Sequence, residues 1–219
     1  LHGQFRRQRQ MCIRERMEAE DLSNFLNFYL TNMCDIALKY GGTIDKFIGD
    51  SVMVFFGDPD TNGAKEDAAA CCDMAMEMLT FLENNQQHVQ EMYNFPEKLE
   101  VRVGVHNGLC NVGNFGSAQR LDYTAIGRAV NVASRLEQAA PKNSILVSSA
   151  VHNLIKDKFE TSSQFDVKAK GIDKPIASYV LTKKTAEDKK IRKEIDGLKV
   201  EYDPQKIDRE TLLKFIDEL

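Results

Sequence analysis

The stretch Gly41-Gly42-Thr43-Ile44-Asp45-Lys46-Phe47-Ile48-Gly49-Asp50-Ser51-Val52-Met53-Val54-Phe55-Phe56 decides the fold class. Thr43–Ile48 and Ser51–Phe56 are short β-rich runs, and Gly49-Asp50 between them is a two-residue hairpin signal. Gly41-Gly42 reads as the C-cap of whatever precedes it. Upstream, Leu22, Phe25, Leu26, Tyr29, Met33, Ile36, Ala37 and Tyr40 recur at helical spacing, so a long amphipathic helix runs into the glycines. Downstream, Asp58-Pro59-Asp60 and Asn62-Gly63 make a loop. A second long helix starts near Lys65, with Ala69, Cys72, Met76, Leu79 and Leu82 on one face. A hairpin held between two helices excludes an all-helical or all-β chain.

Farther along, Leu99–Val105 and Leu109–Val112 read as strands around His106-Asn107-Gly108. Gly127 opens a third helix through Val130, Val132, Ala133 and Leu136. Pro141-Lys142-Asn143 turns the chain into the strand Ile145–Ser148, and a short helix and two strands, about Gln164–Lys168 and Ile176–Leu181, complete the body. Several strand pairs are hairpin-linked, so the class is α+β with a mostly antiparallel sheet. Residues 184–219 differ in kind, with nine bases and ten acids in 36 positions that Gly197 and Pro204 divide into two helices. They are expected to be a solvated tail, with a docking or regulatory helix as the sharper alternative.

At 219 residues, 42% hydrophobic and 28% charged, the chain can bury a sizeable core. Twenty-nine bases against 33 acids give a net charge of −4, which argues against general nucleic-acid binding. No apolar run approaches a membrane span, and the first residues are polar and basic rather than a signal peptide, so no direct membrane contact is expected from this segment. The five cysteines, Cys12, Cys34, Cys71, Cys72 and Cys110, are odd in number and lack CxxC spacing, as fits reduced thiols in the cytoplasm. Cys71-Cys72 within an apolar helix reads as core. His2, His88, His106 and His152 are scattered, and none is a convincing base.

Two features carry chemistry. Asp50 on a tight turn projects a carboxylate past the strand ends, where it can bind Mg²⁺, although Asp is common in turns for local reasons. Asn131 and Arg135 in Asp122-Tyr123-Thr124-Ala125-Ile126-Gly127-Arg128-Ala129-Val130-Asn131-Val132-Ala133-Ser134-Arg135 stand one helical turn apart. An amide and a guanidinium aimed together suit a polyphosphate ester, against the plainer reading of an exposed polar pair.

Taken together, Gly41–Asp50, Val101-Arg102-Val103-Gly104-Val105-His106-Asn107-Gly108 and the Tyr123–Arg135 run resemble the class III adenylate/guanylate cyclase catalytic domain. Val167-Lys168-Ala169-Lys170-Gly171, with Pro175 and Tyr179, is similar to that family's final hairpin. The resemblance spans 15–183, leaving 184–219 as a charged extension. It implies a ferredoxin-like βαββαβ core with a C-terminal hairpin. It also implies conversion of ATP to 3′,5′-cyclic AMP and pyrophosphate in intracellular signalling. Asp50 then matches a metal ligand for Mg²⁺, with Mn²⁺ as substitute. Lys46 and Thr124 match the base-selecting pair, and this combination is similar to the bicarbonate-responsive adenylyl subgroup. Asn131 matches the ribose-positioning residue and Arg135 the one that stabilises the pentavalent phosphorus. Lys168 matches a contact to the terminal phosphates, which Arg120 assists. The family builds its sites between protomers, so the implied partner is a second copy, head to tail. Guanylyl cyclase is disfavoured because Lys46 cannot accept the guanine N1 and N2 protons.

The N-terminus departs from the family. A Phe-x-Asp-Ile-x-Gly-Phe-Thr type segment should supply the first strand and the first metal aspartate. The register position falls instead on Arg6, with Gln10 where an aromatic belongs, and residues 1–14 hold no carboxylate. The rival expectation is therefore a degenerate module that dimerises or binds nucleotide without turnover. Codons for Phe5–Arg9 exist whose frame one nucleotide on reads Ser-Asp-Val-Arg-Gly, the expected motif, so a pair of compensating frameshifts would account for the segment.

Overall fold

The computed structural model describes residues 18–95, 97–167, 175–184, 191–195 and 198–202. The expectations for residues 1–14 and for Lys168 lie outside the described residues.

Helix α1 (Ala19–Lys39) carries Glu20 and Asp21 in its first turn and Lys39 in its last, each favourable to the helix dipole. It ends as expected at the paired glycines. Gly41 takes φ 80°, which a Cβ would resist, and the Gly42 amide donates back to the Ala37 carbonyl at 2.9 Å. Strands β1 (Thr43–Ile48) and β2 (Ser51–Phe55) follow, paired antiparallel, with Ile48 opposite Ser51 across the Gly49-Asp50 turn. Gly49, at the first central position, has φ 69°, as a type II′ turn needs. The hairpin rests on α1 and on α2 (Ala64–Asn84): Met33, Ile36 and Ala37 meet Met74, Met78 and Leu82, with Ile44, Val52 and Val54 against them.

A short helix α3 (Gln86–Met92) leads into β3 (Arg102–Val105). Next come the hairpin β4 (Asn111–Ser117) and β5 (Arg120–Ile126), helix α4 (Arg128–Ala139), β6 (Ser144–Ser148) and helix α5 (Ser149–Ile155). Strands β7 (Phe159–Thr161), β8 (Phe165–Val167) and β9 (Ile176–Lys184) close the body. The main sheet runs β3-β6-β9-β7, with β8 also on β9. Every pairing is antiparallel except β3 with β6, where Val103 lies beside Ile145. The described residues thus give the α+β, mostly antiparallel architecture, and β8 with β9 forms the expected C-terminal hairpin. The β1–β2 and β4–β5 hairpins are separate two-stranded ladders beside the main sheet.

Strand β6 explains how the layers hold. Alternate residues of a strand face opposite sides. Ile145 and Val147 pack with Ala69, Cys72, Val151 and Ile155 of α2 and α5, while Leu146 packs with Val132 and Leu136 of α4. Both faces are covered, and Ile145–Ser148 is buried throughout. Cys72 is fully buried in this core, as the apolar helix predicted.

Two expectations need correction. The strand expected over Leu109–Val112 is in fact Asn111–Ser117, the first arm of a longer hairpin. The two helices expected after 184 are not what 191–202 form: β10 (Ile191–Ile195) and β11 (Leu198–Tyr202) pair antiparallel, with Arg192 opposite Glu201. Leu198, Val200 and Tyr202 alternate with Lys199 and Glu201, and that period of two favours a strand over a helix.

Gly104 fixes the distance between β3 and α4. A Cβ there would sit 2.2 Å from the Glu137 amide nitrogen and 2.4 Å from the Ala133 carbonyl oxygen, both main-chain atoms of α4. Gly104→Ala must push the helix away. Overpacking of this kind costs about 1–3 kcal/mol, and a lowered urea midpoint at unchanged slope is the expected reading.

Candidate active site

The β1–β2 and β4–β5 hairpins meet through β1 and β5, and two of the candidate residues, Lys46 and Thr124, lie at that seam. Lys46 and Thr124, 78 positions apart in the chain, are joined directly: the Lys46 ammonium donates to Thr124 Oγ1 at 2.6 Å. Thr124 is 5% exposed, whereas the Lys46 side chain is 43% exposed, so the pair has a buried floor and an open cationic head. Lys46 retains donors for a ligand acceptor, and the Thr124 hydroxyl can still donate.

Sequence reasoning missed Asp45. Its side chain is fully buried, Oδ2 accepts from the Ala125 amide at 3.1 Å, and Oδ1 lies 3.4 Å from the Lys46 ammonium. An acid beside Lys46 was the available signal. Strand parity concealed it, because neighbouring residues of a regular strand face opposite ways.

Tyr123 ties the same seam to the loop after β2. Its hydroxyl donates to the Asp58 carboxylate, and that hydrogen bond raises the Tyr123 pKa. The Asp58 carbonyl in turn accepts from Thr43 Oγ1 at 2.7 Å.

Asn131 and Arg135 lie on α4 beside its buried Val132 and Leu136, with Asn131 exposed and Arg135 half-buried. The Arg135 guanidinium donates to Gln138 Oε1 at 3.0 Å, within its own helix. Arg120 is not part of the Lys46–Thr124 cluster. It lies at the β4–β5 tip, 82% exposed and 3.5 Å from Asp122, and four residues of strand separate it from Thr124 by roughly 13 Å.

Asp50 is exposed at its turn. A single hard oxygen donor on an open turn suits Mg²⁺, which keeps water ligands and shares itself between one or two carboxylates and substrate phosphates. Among the described residues no three His, Cys, Asp or Glu side chains gather to hold a metal. The Asp50 charge is felt by the half-buried Tyr29 of α1, whose pKa is raised to about 12, first by desolvation and then by Asp50 and Glu137.

His106 follows directly on β3. Its Nδ1 is 2.9 Å from Ser148 Oγ, and burial, then the charge of Arg128, lowers its pKa.

The model of the adenylate and guanylate cyclase catalytic domain matches residues 8–183. The chain belongs to that family. It is 35% identical over 170 residues to an adenylate cyclase of Anabaena cylindrica, covering 75% of this chain and 33% of that protein. Among solved structures it resembles the adenylyl cyclase CyaB of P. aeruginosa at 45% identity and TM-score 0.76, covering 81% of this chain and 90% of that one. The guanylyl cyclase Cya2 superposes with TM-score 0.75 at 28% identity, covering 81% and 88%. The chain therefore spans nearly all of the solved cyclase domains but about a third of the Anabaena enzyme. No helix among the described residues is long and apolar enough to cross a membrane.

Proposed function

We propose that this cyclase domain, within 15–183, is an adenylyl cyclase that converts ATP to 3′,5′-cyclic AMP and pyrophosphate. The observation that carries the reading is the Lys46–Thr124 hydrogen bond, which presents donor-only nitrogen beside a hydroxyl at one seam. Adenine N1 is an acceptor that Lys46 can serve, and N6–H can reach the Thr124 oxygen. The likeness to CyaB supports the same choice.

In the reaction the ribose 3′-oxygen attacks the α-phosphorus, the bond from that phosphorus to the β-phosphate bridging oxygen breaks, and pyrophosphate leaves. Asn131 orients the ribose by hydrogen bonding, Arg135 meets charge developing on the α-phosphoryl oxygens, and Lys168 holds the terminal phosphates. Asp50 would hold Mg²⁺ or Mn²⁺. Bound there, the ion supplies positive charge that acidifies the 3′-hydroxyl and neutralises the phosphates.

The acting unit is a head-to-tail homodimer, in which Asp50 serves one site while Lys46, Thr124, Asn131 and Arg135 serve the other. Supporting this, both hairpins expose apolar side chains around the seam: Phe47, Ile48, Leu121 and Ile126, with Leu109 97% exposed. Cys34, Cys71, Cys72 and Cys110 are free thiols, which suits a cytoplasmic site of action.

Cyclic AMP formation from ATP with Mg²⁺ or Mn²⁺ is the test. Asp50→Asn, which the turn accommodates, should remove metal-dependent ATP binding while the melting temperature holds. Unchanged Mn²⁺-dependent affinity would detach Asp50 from the metal. A second reading rests on Arg6, which stands where the first metal aspartate belongs: a module that binds nucleotide without turnover. ATP binding with no cyclic AMP would select it.

A further inference from the structure

Strand β1 is irregular where it matters. Ile44 pairs with Val54 but Lys46 pairs with Met53, so Asp45 is an extra residue, a β-bulge. In a regular strand Asp45 and Lys46 would face opposite sides. The bulge re-aims them, and both reach β5: Asp45 to the Ala125 amide and Lys46 to Thr124 Oγ1. These bonds cross between two hairpins that belong to separate ladders. A fully buried carboxylate is costly unless both its oxygens are satisfied, and Asp45 Oδ1 has no hydrogen-bond partner among the described residues. The group facing that oxygen is the Lys46 ammonium, 3.4 Å away.

We infer that Asp45 is a positioning residue that holds the Lys46 head over Thr124 and thereby sets the purine preference of the site. Oδ2 fixes where β5 lies against β1. Oδ1 draws one side of the ammonium inward, and this leaves Thr124 Oγ1 and the incoming base to share the remaining donors. Without the buried charge, Lys46 would extend into solvent, as a long, rotamer-rich side chain does by default. The purine part of the inference rests on the adenylyl reading; the coupling of Asp45 to Lys46 does not.

Two measurements test it, and neither requires turnover. In Asp45→Asn the amide oxygen can still accept from Ala125, but the charge is gone. The ratio of ATP to GTP affinities should fall about tenfold, because hydrogen bonds to charged groups are the stronger ones. A melting temperature near that of the parent chain would show that the seam is intact. The second variant, Lys46→Met, removes the ammonium at a half-exposed position. Here it should lower the melting temperature by about 3 °C or more by stranding a buried carboxylate, and Asp45→Asn/Lys46→Met should recover that loss. Lys46→Met melting at the parent temperature would overturn the inference, as would an unchanged ATP-to-GTP ratio in folded Asp45→Asn. If Asp45→Asn does not fold, the Lys46→Met comparison decides alone. Absence of cyclic AMP formation by the parent chain would instead count against the adenylyl reading and leave the melting comparison as it stands.

Discussion

Arg135→Ala should lower kcat by about 100- to 1000-fold while changing KM little, the loss expected when one preorganised donor to a developing oxyanion is removed. The expectation follows from where α4 puts the guanidinium. The helix is clamped to β3 at Gly104 and buries Val132 and Leu136, which leaves Arg135 half-buried. Its one described hydrogen bond, to Gln138 Oε1 at 3.0 Å, is a neutral acceptor within the same helix. Exchanging that acceptor for an α-phosphoryl oxygen strengthens the contact as negative charge accumulates, so the gain falls on the transition state rather than on the bound substrate. Steady-state kinetics of cyclic AMP formation separate the two cases. A variant with raised KM and preserved kcat would make Arg135 a ground-state phosphate binder. Arg135→Lys should recover only part of the rate, because an ammonium cannot reproduce the planar fork.

What the sequence made legible, and what it concealed, follows from the range of the forces involved. The β1–β2 hairpin was readable because a positive-φ turn and two β-rich runs are local. The long helices were readable because burial repeats every turn. The meeting of Lys46 with Thr124 is not local, and no periodicity contains it. Their shared role is what likeness to a family implies, and the structure adds that the two side chains are hydrogen-bonded. The β4–β5 hairpin was half missed because Phe115, Leu121 and Tyr123 stand exposed on it, so it lacks the one-sided alternation that marks a half-buried strand. Asp45 was missed for a sharper reason. A bulge breaks the parity rule by which residues are assigned to faces, and the residue it redirects is the one whose carboxylate anchors the seam. The β10–β11 hairpin is masked by dense charge: three consecutive charged residues fill the middle of β10, and only Leu198, Val200 and Tyr202 of β11 keep a period of two.

The same seam shapes the second large expected effect, a change of base. Guanine presents N1–H and N2–H donors where adenine presents an N1 acceptor, so a guanine-reading site needs an acceptor at position 46. Lys46→Glu with Thr124→Cys supplies it. Each unpaired polar group in a closed pocket costs about 1–3 kcal/mol, and each 1.4 kcal/mol is tenfold, so the ATP-to-GTP ratio of kcat/KM should move by one or more decades toward GTP. Position 46 does not stand alone, however. A carboxylate there would face Asp45 Oδ1, buried and 3.4 Å from where the Lys46 ammonium now lies. Two close carboxylates repel, and the new one would swing away from the base. Adding Asp45→Asn removes the repulsion and keeps an acceptor for the Ala125 amide. The triple variant Asp45→Asn/Lys46→Glu/Thr124→Cys should therefore turn farther toward GTP than the double variant and melt at a higher temperature. Equilibrium binding of both nucleotides supplies the comparison even where turnover is slow. An ATP-to-GTP ratio unmoved in both variants would mean that Lys46 and Thr124 do not read the base. A double variant that already matches the triple would mean that Asp45 has no hold on position 46.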